Sequence, residues 1–165
     1  MAAQISNKEV QLRDILEKDL PIFFDHQLDC SANYMAAFTS KDPTDRTAFM
    51  NRWANILSTQ NIIKKTITYQ EYVVGHIVKF EQFGHPEVSY WIGQQFWGNG
   101  IATNALRKFL EYVEIRPLYA RAAKDNIGSI RVLEKCHFTV IDEDKGYSNS
   151  RSKDVEEIVL KLEKS

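Results

Sequence analysis

The sequence predicts an α/β fold with a central sheet flanked by helices. Residues 61–92 contain runs in which apolar and polar side chains alternate, as they do in strands, whereas residues 101–113 repeat apolar side chains at intervals of three and four, as an amphipathic helix does. Strand and helix patterns then continue towards the C-terminus. A chain of 165 residues has the length of one ordinary domain, so we expect a single domain over residues 1–165.

The N-terminal third is predicted to contain one strand followed by helices. Val10–Arg13 alternates as a strand does, and residues 18–21 mark the start of a helix that continues to Leu28. Asp42 and Pro43 are predicted to open a second helix, with Asp42 as its cap. The buried face of that helix is predicted to carry side chains four residues apart: Phe49, Trp53 and Leu57.

The remainder is predicted to alternate between strands and helices. Residues 63–69 and 72–80 are expected to form an antiparallel hairpin, and a short loop with Gly84, His85 and Pro86 leads to a strand at 87–92. The later elements are predicted as the helix 101–113, the strand Leu118–Ala123, a helix capped by Asp125 or Asn126, closing strands at 138–141 and 155–162, and a charged loop at 142–154 between those strands.

The charge pattern argues against nucleic acid and membrane as partners. Lys and Arg number 21 against 22 Asp and Glu, and no basic block is present that would follow a phosphate backbone. No apolar segment approaches the ~20 residues that a membrane span requires. Residues 1–10 lack the basic start and apolar run of a secretory signal, which predicts a cytoplasmic protein. Both a monomer and a homodimer remain open.

The two cysteines do not have the spacing of a metal site or of a redox motif. Cys30 and Cys136 lie far apart in sequence, and His137 is adjacent to Cys136, a spacing that suits no chelate. We predict that both are reduced thiols in the core and that the protein holds no metal.

The chemistry is predicted to lie where the strand 87–92 ends and the helix 101–113 begins. A chain that turns through Gly98 and Gly100 and then enters a helix gathers unpaired backbone N–H groups at the positive end of the helix dipole, which favours phosphate. Glycine suits these positions because a side chain would hinder the approach of a ligand and resist a left-handed backbone. The predicted binding segment consists of Gln95, Phe96, Trp97, Gly98, Asn99, Gly100, Ile101 and Ala102, with Phe96 and Trp97 anchoring it in the core.

Two nucleotide-binding motifs share part of this segment. A P-loop is excluded because Asn99 and Gly100 stand where its Lys and its Ser or Thr are needed. A dinucleotide fingerprint fits residues 98–103 in part, with Thr103 in place of its third glycine and Asp125 near the place of a ribose-binding carboxylate. The antiparallel hairpin upstream argues against that motif, but a dinucleotide-binding protein remains an alternative.

From residue 61 onward the chain resembles the GNAT acetyltransferase superfamily. The signature of that family is Gln or Arg, two residues, Gly, one residue, then Gly or Ala, and Gln95, Gly98 and Gly100 match it. The flanking segments are similar to the branch that contains the ribosomal-protein N-terminal acetyltransferases; they comprise residues 90–92, 97–103 and 133–135 with Asn126, Ser129 and Phe138. The resemblance implies a mixed, mostly antiparallel sheet that is split beside the cofactor.

The resemblance also implies a reaction and its participants. Acetyl-CoA would donate its acetyl group to a primary amine, either a protein or peptide N-terminus or a small amine. The backbone of Trp91 and Ile92 would pair with the pantetheine arm, and the Asn126 amide would bind the same arm. Many family members carry a tyrosine as general acid at the position of Leu133, which cannot donate a proton, so Ser129 is our candidate donor to the departing thiolate.

The remaining roles are less constrained by sequence. An alkylammonium has a pKa near 10, so a base must accept its proton. Glu87 is the first candidate, because family members often place a carboxylate there; His85 is the second, and Tyr147 is a candidate for the rim of the substrate cleft. His137 replaces the usual glycine before Phe138 and is predicted to adopt a left-handed cap. A non-catalytic acyl-CoA-binding module is the alternative from a different class.

Overall fold

One mixed sheet runs through the part of the chain that the computed structural model describes, residues 9–164. Its seven strands have the order β1-β2-β3-β4-β5-β7-β6. The strands are β1 Val10–Arg13, β2 Ile63–Tyr69, β3 Tyr72–Gln82, β4 His85–Ile92, β5 Leu118–Ala123, β6 Thr139–Ser148 and β7 Lys153–Leu162. Every neighbouring pair is antiparallel except β4 and β5, which confirms the predicted mixed, mostly antiparallel sheet.

Helices cover both faces of this sheet. They are α1 Leu20–Gln27, α2 Cys30–Ala36, α3 Arg46–Ser58, α4 Ile101–Tyr112 and α5 Ile127–Lys135, with short 3-10 turns at Glu17–Asp19 and Gln94–Phe96. The main core joins α4 and α5 to one face through side chains such as Phe109, Leu133 and Ile77. A second core packs Phe23 and Trp53 of α1 and α3 against the other face. Two opposed layers of helices therefore hold the strands between them.

Several predicted boundaries need correction. The helix that carries Phe49 and Trp53 is capped by Asp45, whose carboxylate accepts a hydrogen bond from Ala48 N, and not by Asp42. Asp42 instead closes a local turn with the N–H and hydroxyl of Thr44. The sequence interpretation also missed α2, and it placed His85 and Pro86 in a loop although both belong to β4.

The predicted charged loop at 142–154 is mostly strand. β6 continues to Ser148 and pairs with β7 from Thr139↔Lys161 to Ser148↔Lys153. β6 is the last strand of the sheet, so the charged side chains of residues 142–145 remain in solvent while the backbone pairs on one side. A polar run was therefore compatible with a strand at this edge.

The prediction for the cysteines is half correct. Both are free thiols, and Cys136 is buried, but Cys30 is exposed at the start of α2. The interpretation of residues 1–10 as lacking a secretory signal lies almost entirely outside the described residues.

The end of α5 shows the predicted left-handed residue. His137 has φ 74°, and its N–H donates to the Glu134 carbonyl while Phe138 N donates to the Leu133 carbonyl. These two bonds satisfy carbonyls at the helix end, and the following Phe138 is buried in the core.

Replacing His137 with glycine is expected to stabilise the protein by about 0.5–1 kcal/mol, because glycine adopts this backbone without the steric cost of a β-carbon. Urea unfolding measures the change. His137→Ala is the control, since alanine keeps the β-carbon and should give no gain; a gain equal to that of glycine would contradict the backbone explanation.

Candidate active site

The site begins where β4 and β5 part. β3 pairs with β4 along its whole length, from Gly75↔Ile92 to Gln82↔His85, whereas β5 pairs with β4 only at Glu87↔Tyr119. Beyond Glu87, the main-chain groups on the β5 side of β4 have no ladder partner in the described strands. Unpaired backbone at the edge of a strand can accept a ligand that runs along it.

The segment after β4 leads from this opening to the start of α4. Gly98 has φ 82° and Gly100 has φ 72°, both in the left-handed region that favours glycine. No side chain caps the N-terminus of α4 at Gly100. A β-carbon at Gly98 would meet no atom within 4 Å, so the backbone here borders open space. The arrangement leaves the first N–H groups of α4 free for an anion.

Local hydrogen bonds fix the shape of this turn. Trp97 Nε1 donates to the Ile92 carbonyl at 2.8 Å, and Asn99 Nδ2 donates to the Phe96 carbonyl at 3.0 Å. Phe96 packs against the main core as predicted, but the Trp97 residue is 44% exposed. Trp97 therefore holds the turn through its indole N–H and not by burial of its ring.

A cavity of about 720 Å³ connects the strand opening with the turn. Ten of the thirteen residues predicted from sequence line it: Trp91, Ile92, Phe96, Trp97, Gly98, Gly100, Ile101, Ala102, Asn126 and Ser129. Its lining within the described residues does not include Gln95, Asn99 or Glu87. Gln95 instead borders a separate cleft beside α1 together with His26 and Asp29. α2 contributes Ala32, Met35 and Ala36 to the main cavity.

Two predicted residues meet at the start of α5. The side-chain oxygen Oδ1 of Asn126 accepts a hydrogen bond from Ser129 N at 3.3 Å, which caps the helix, while its Nδ2 donates to the Met35 carbonyl at 3.3 Å. Leu133, at the position of the family tyrosine, is buried in the core and offers no proton.

Tyr90 has no role in the sequence prediction, but its side chain reaches into this group. Its hydroxyl lies 2.9 Å from Ser129 Oγ, and both residues line the cavity. Burial raises the pKa of Tyr90 to about 12. Alternation along β4 places Tyr90 on the same face as Val88 and Ile92, towards α4 and α5. That alternation was visible in the sequence, whereas the partner on α5 was not.

The charges around the cavity are positive. Arg131 and Lys135 lie one turn apart on α5 and are the only charged residues among its described lining residues. Neither has an ion-pair partner within residues 9–164. These two cations favour an anionic ligand beside the turn.

Glu87 lies apart from the cavity. It points to the opposite face of β4 from Tyr90, roughly 13 Å along the strand from Trp91. Its Oε2 accepts a hydrogen bond from Gln82 Nε2 at 3.1 Å, and Arg121 Nε lies 3.7 Å from the same oxygen. Glu87 is buried, and this burial raises the pKa of its carboxyl. The exposed Ser89 lies between Glu87 and Trp91 on the same face.

The other candidates for the acceptor side are exposed. His85 stacks at 4.5 Å on the ring of Tyr119, beside the point where β4 and β5 pair. Tyr147 lies on β6 opposite Asp154 and is 60% exposed. Neither lines the cavity within the described residues.

Arg151 fastens three segments at the rim of the site. Its guanidinium forms a bidentate pair with Asp125, the residue before Asn126, at 2.6 and 2.9 Å. It also donates to the Tyr34 carbonyl of α2 and lies 4.2 Å from the centre of the Tyr34 ring. The side chain is 4% exposed. The turn between β6 and β7 is thus tied to α2 and to the start of α5.

Residues 9–164 contain neither a helix that could cross a bilayer nor a cluster of metal ligands. None of the helices there combines the length and apolar character needed to cross a bilayer. No three His, Cys, Asp or Glu side chains in this part of the chain converge as metal ligands would.

Residues 9–139 match the sequence model of the acetyltransferase (GNAT) domain family. Because this match spans more than half of the 165 residues, the chain belongs to the GNAT acetyltransferase family. The split sheet and the turn between β4 and α4 agree with that assignment, and they confirm the resemblance seen in the sequence. Comparison with curated proteins gave no significant match.

Solved structures share the fold at low sequence identity. RimJ of Mycobacterium smegmatis, in complex with CoA-disulfide, superposes with a TM-score of 0.78 at 18% identity over 93% of this chain and 81% of that one. RimL, a ribosomal L7/L12 alpha-N-protein acetyltransferase in complex with coenzyme A, gives 0.73 at 22% over 92% and 93%. Spermidine N-acetyltransferase from Vibrio cholerae, with CoA and spermine, gives 0.75 at 17% over 92% and 95%.

Asn126 should contribute to stability through both of its hydrogen bonds. We expect Asn126→Ala to destabilise the protein by about 1 kcal/mol or more, since the cap of α5 and the bond to α2 are both lost. Asn126→Asp should cost less, because its carboxylate still accepts from Ser129 N. Urea unfolding of both variants measures the two losses in the free energy of unfolding. Equal losses would show that the cap of α5 contributes little to stability.

Proposed function

We propose that the protein transfers the acetyl group of acetyl-CoA to a primary amine by direct attack on the thioester in a ternary complex. The observation that carries this proposal is one continuous cavity, which joins the unpaired edge of β4 to the uncapped start of α4. A phosphate-bearing ligand with an extended, amide-containing arm suits both ends of that cavity.

The phosphates would be held at the turn. The N–H groups that follow Gly98 and Gly100 offer hydrogen bonds, and the dipole of α4 adds positive potential. Arg131 and Lys135 supply two full charges on the facing helix. Gln95 and Asn99 would act through the turn, since Asn99 bonds the Phe96 carbonyl and Gln95 lies in the 3-10 turn.

The pantetheine arm would lie along the open edge of β4. The backbone of Trp91 and Ile92 would contact the arm beyond the single pairing point with β5, apart from the Ile92 carbonyl, which accepts from Trp97 Nε1. Asn126 keeps one amide hydrogen and one lone pair after its two hydrogen bonds, so it retains capacity for the arm. The apolar side chains of α2 would close the cavity over the reacting end.

The chemical step needs a neutral amine and a stabilised leaving group. As nitrogen attacks the carbonyl carbon, the C–S bond breaks and the thiolate receives a proton; Ser129, the hydroxyl that α5 contributes to the lining, would donate to the thiolate. We assign acceptance of the amine proton to Glu87 through water, because exposed Ser89 leaves that face of β4 open between Glu87 and Trp91. The raised pKa of Glu87 makes it a stronger base once ionised.

The acceptor is proposed to be a protein or peptide N-terminus or a small amine. The related RimL acetylates a ribosomal protein and the Vibrio cholerae enzyme acetylates spermidine, so the shared fold serves acceptors of both sizes. A non-catalytic acyl-CoA-binding module is the second candidate, favoured by the buried Leu133 at the position of the family acid.

Ligand binding tests the cavity. Acetyl-CoA and CoA should raise the melting temperature, whereas NAD and ATP should not, because a ligand stabilises the folded state that it binds. The double variant Arg131→Gln, Lys135→Gln should bind acetyl-CoA about tenfold more weakly at low salt, with a smaller difference at high salt. Lys18→Gln, an exposed cation on the 3-10 turn before α1, is the control. Equal stabilisation by NAD would instead favour a dinucleotide-binding protein.

Turnover tests the transferase. Thiol release from acetyl-CoA should accelerate with at least one member of a panel of peptides, polyamines and amino acids, and Ser129→Ala should lower kcat about 100-fold. In the parent, activity should fall as the pH drops through the raised pKa of Glu87, and Glu87→Gln should be slow at every pH. Binding without release across the panel supports the acyl-CoA-binding module. Unchanged kcat in both variants would contradict the assigned roles.

A further inference from the structure

Tyr90 and Ser129 form a hydroxyl pair across the opening in the sheet. Tyr90 projects from β4 and Ser129 from the first turn of α5, and their oxygens are 2.9 Å apart. Both line the cavity, so the pair lies at its wall. The same tyrosine oxygen is 3.5 Å from the Ser129 carbonyl, which leaves the Oγ contact as the better hydrogen bond.

The direction of this bond follows from the acidity of the two groups. The geometry allows either oxygen to donate, but a phenol is a far stronger acid than an alcohol, which favours Tyr90 as the donor and Ser129 Oγ as the acceptor. The serine proton is then not used within the pair and can turn to the cavity. A hydroxyl that accepts a hydrogen bond is also a better donor, because successive hydrogen bonds polarise one another.

The backbone of Ser129 is fixed independently of Tyr90. Its N–H donates to the Asn126 side chain, which in turn is bonded to Met35 of α2. Tyr90 is fixed by packing of its ring against the main core. Both side chains are therefore held in fixed positions, and the serine O–H is left to donate towards the cavity.

We infer that Tyr90 is a positioning residue for the Ser129 hydroxyl: by donating to Ser129 Oγ, it directs the serine O–H towards the sulfur of the bound thioester or thiol. The inference rests on the function proposed above. When the C–S bond breaks, its electron pair goes to sulfur, and the resulting thiolate accepts a hydrogen bond from Ser129 Oγ while Tyr90 and Ser129 keep their own protons. The thiolate then takes a proton from water, and the proton that the amine gave up to Glu87 returns to water.

The pair should also stabilise the thiolate form of bound CoA. The inference can therefore be tested without an amine substrate. A thiol resembling cysteine ionises near pH 8.5, and a donor beside the thiolate lowers that pKa in the complex. Affinity for CoA should therefore rise with pH between about 7 and 9, until free CoA is itself ionised. Acetyl-CoA has no thiol and should show no such rise.

Other titratable and charged groups lie near the pair. Cys136, whose thiol pKa is raised by burial, and the cations Arg131 and Lys135 face the same region. The two cations would also favour a CoA thiolate over the thiol, so the hydroxyl variants Tyr90→Phe and Ser129→Ala, which leave both cations in place, separate the two contributions. Tyr90, with a pKa of about 12, stays protonated over this range.

Calorimetric titration with CoA and acetyl-CoA at pH 7, 8 and 9 should show at least a threefold rise in the affinity ratio for the parent. Tyr90→Phe keeps the ring in the core and should flatten the rise, as should Ser129→Ala. Tyr112→Phe, which removes an exposed hydroxyl at the end of α4, should behave as the parent. The inference is overturned if the ratio of CoA affinity to acetyl-CoA affinity does not change with pH in the parent. It is also overturned if Tyr90→Phe shows the same rise in that ratio as the parent.

Kinetics with the best acceptor supply the second readout. Tyr90→Phe should lower kcat about five- to tenfold, the worth of one hydrogen bond, with KM for acetyl-CoA within about twofold. The loss should persist in a Ser129→Thr background and vanish in a Ser129→Ala background. An equal loss in both backgrounds overturns the inference. Should the parent turn over no amine yet show the pH-dependent ratio, the transferase proposal fails and the pairing inference stands.

Discussion

The site depends on one interruption of backbone pairing. β4 has β3 as a complete partner and β5 has β7 as a complete partner, but β4 and β5 meet at a single residue pair. In a closed ladder these inner edges would satisfy each other, and no polar groups would be available to a ligand. The opening leaves the inner edge of β4 free to line the cavity, and the helices that follow β4 and β5 both begin beside it.

The two helices that begin beside the opening have different starts. α4 starts at a glycine without a side-chain cap, whereas α5 starts at Asn126, whose side chain accepts a hydrogen bond from Ser129 N. An uncapped start leaves N–H groups available to an anion, and a capped start gives a rigid support for side chains. The proposed anion site therefore lies at the start of α4, and the proposed hydroxyl donor lies on α5.

Local features were predictable from sequence because local physics determines them. The strand β5 has its predicted bounds, the left-handed His137 was expected from the missing glycine, and the glycine turn was located by Gly98 and Gly100. The split of the sheet followed only from family resemblance, since pairing between distant strands leaves no periodic trace. The same limit explains the missed contact of Tyr90 with Ser129, which joins residues 39 positions apart. The continuation of β6 over residues 142–148 was predicted as a loop because an edge strand tolerates charge on most of its side chains.

Arg151 makes the C-terminal hairpin part of the site's frame. The match to the family model stops at residue 139, where β6 begins, so both strands of the hairpin and Arg151 lie beyond it. β7 is the partner that completes β5, and Arg151 joins Tyr34 to the acidic side chain next to Asn126. A fragment cut at residue 139 would retain every residue of the signature. It would lose Arg151, which ties α2 to the start of α5. The segment that matches the family model is therefore shorter than the segment that is needed to hold the site in its observed shape.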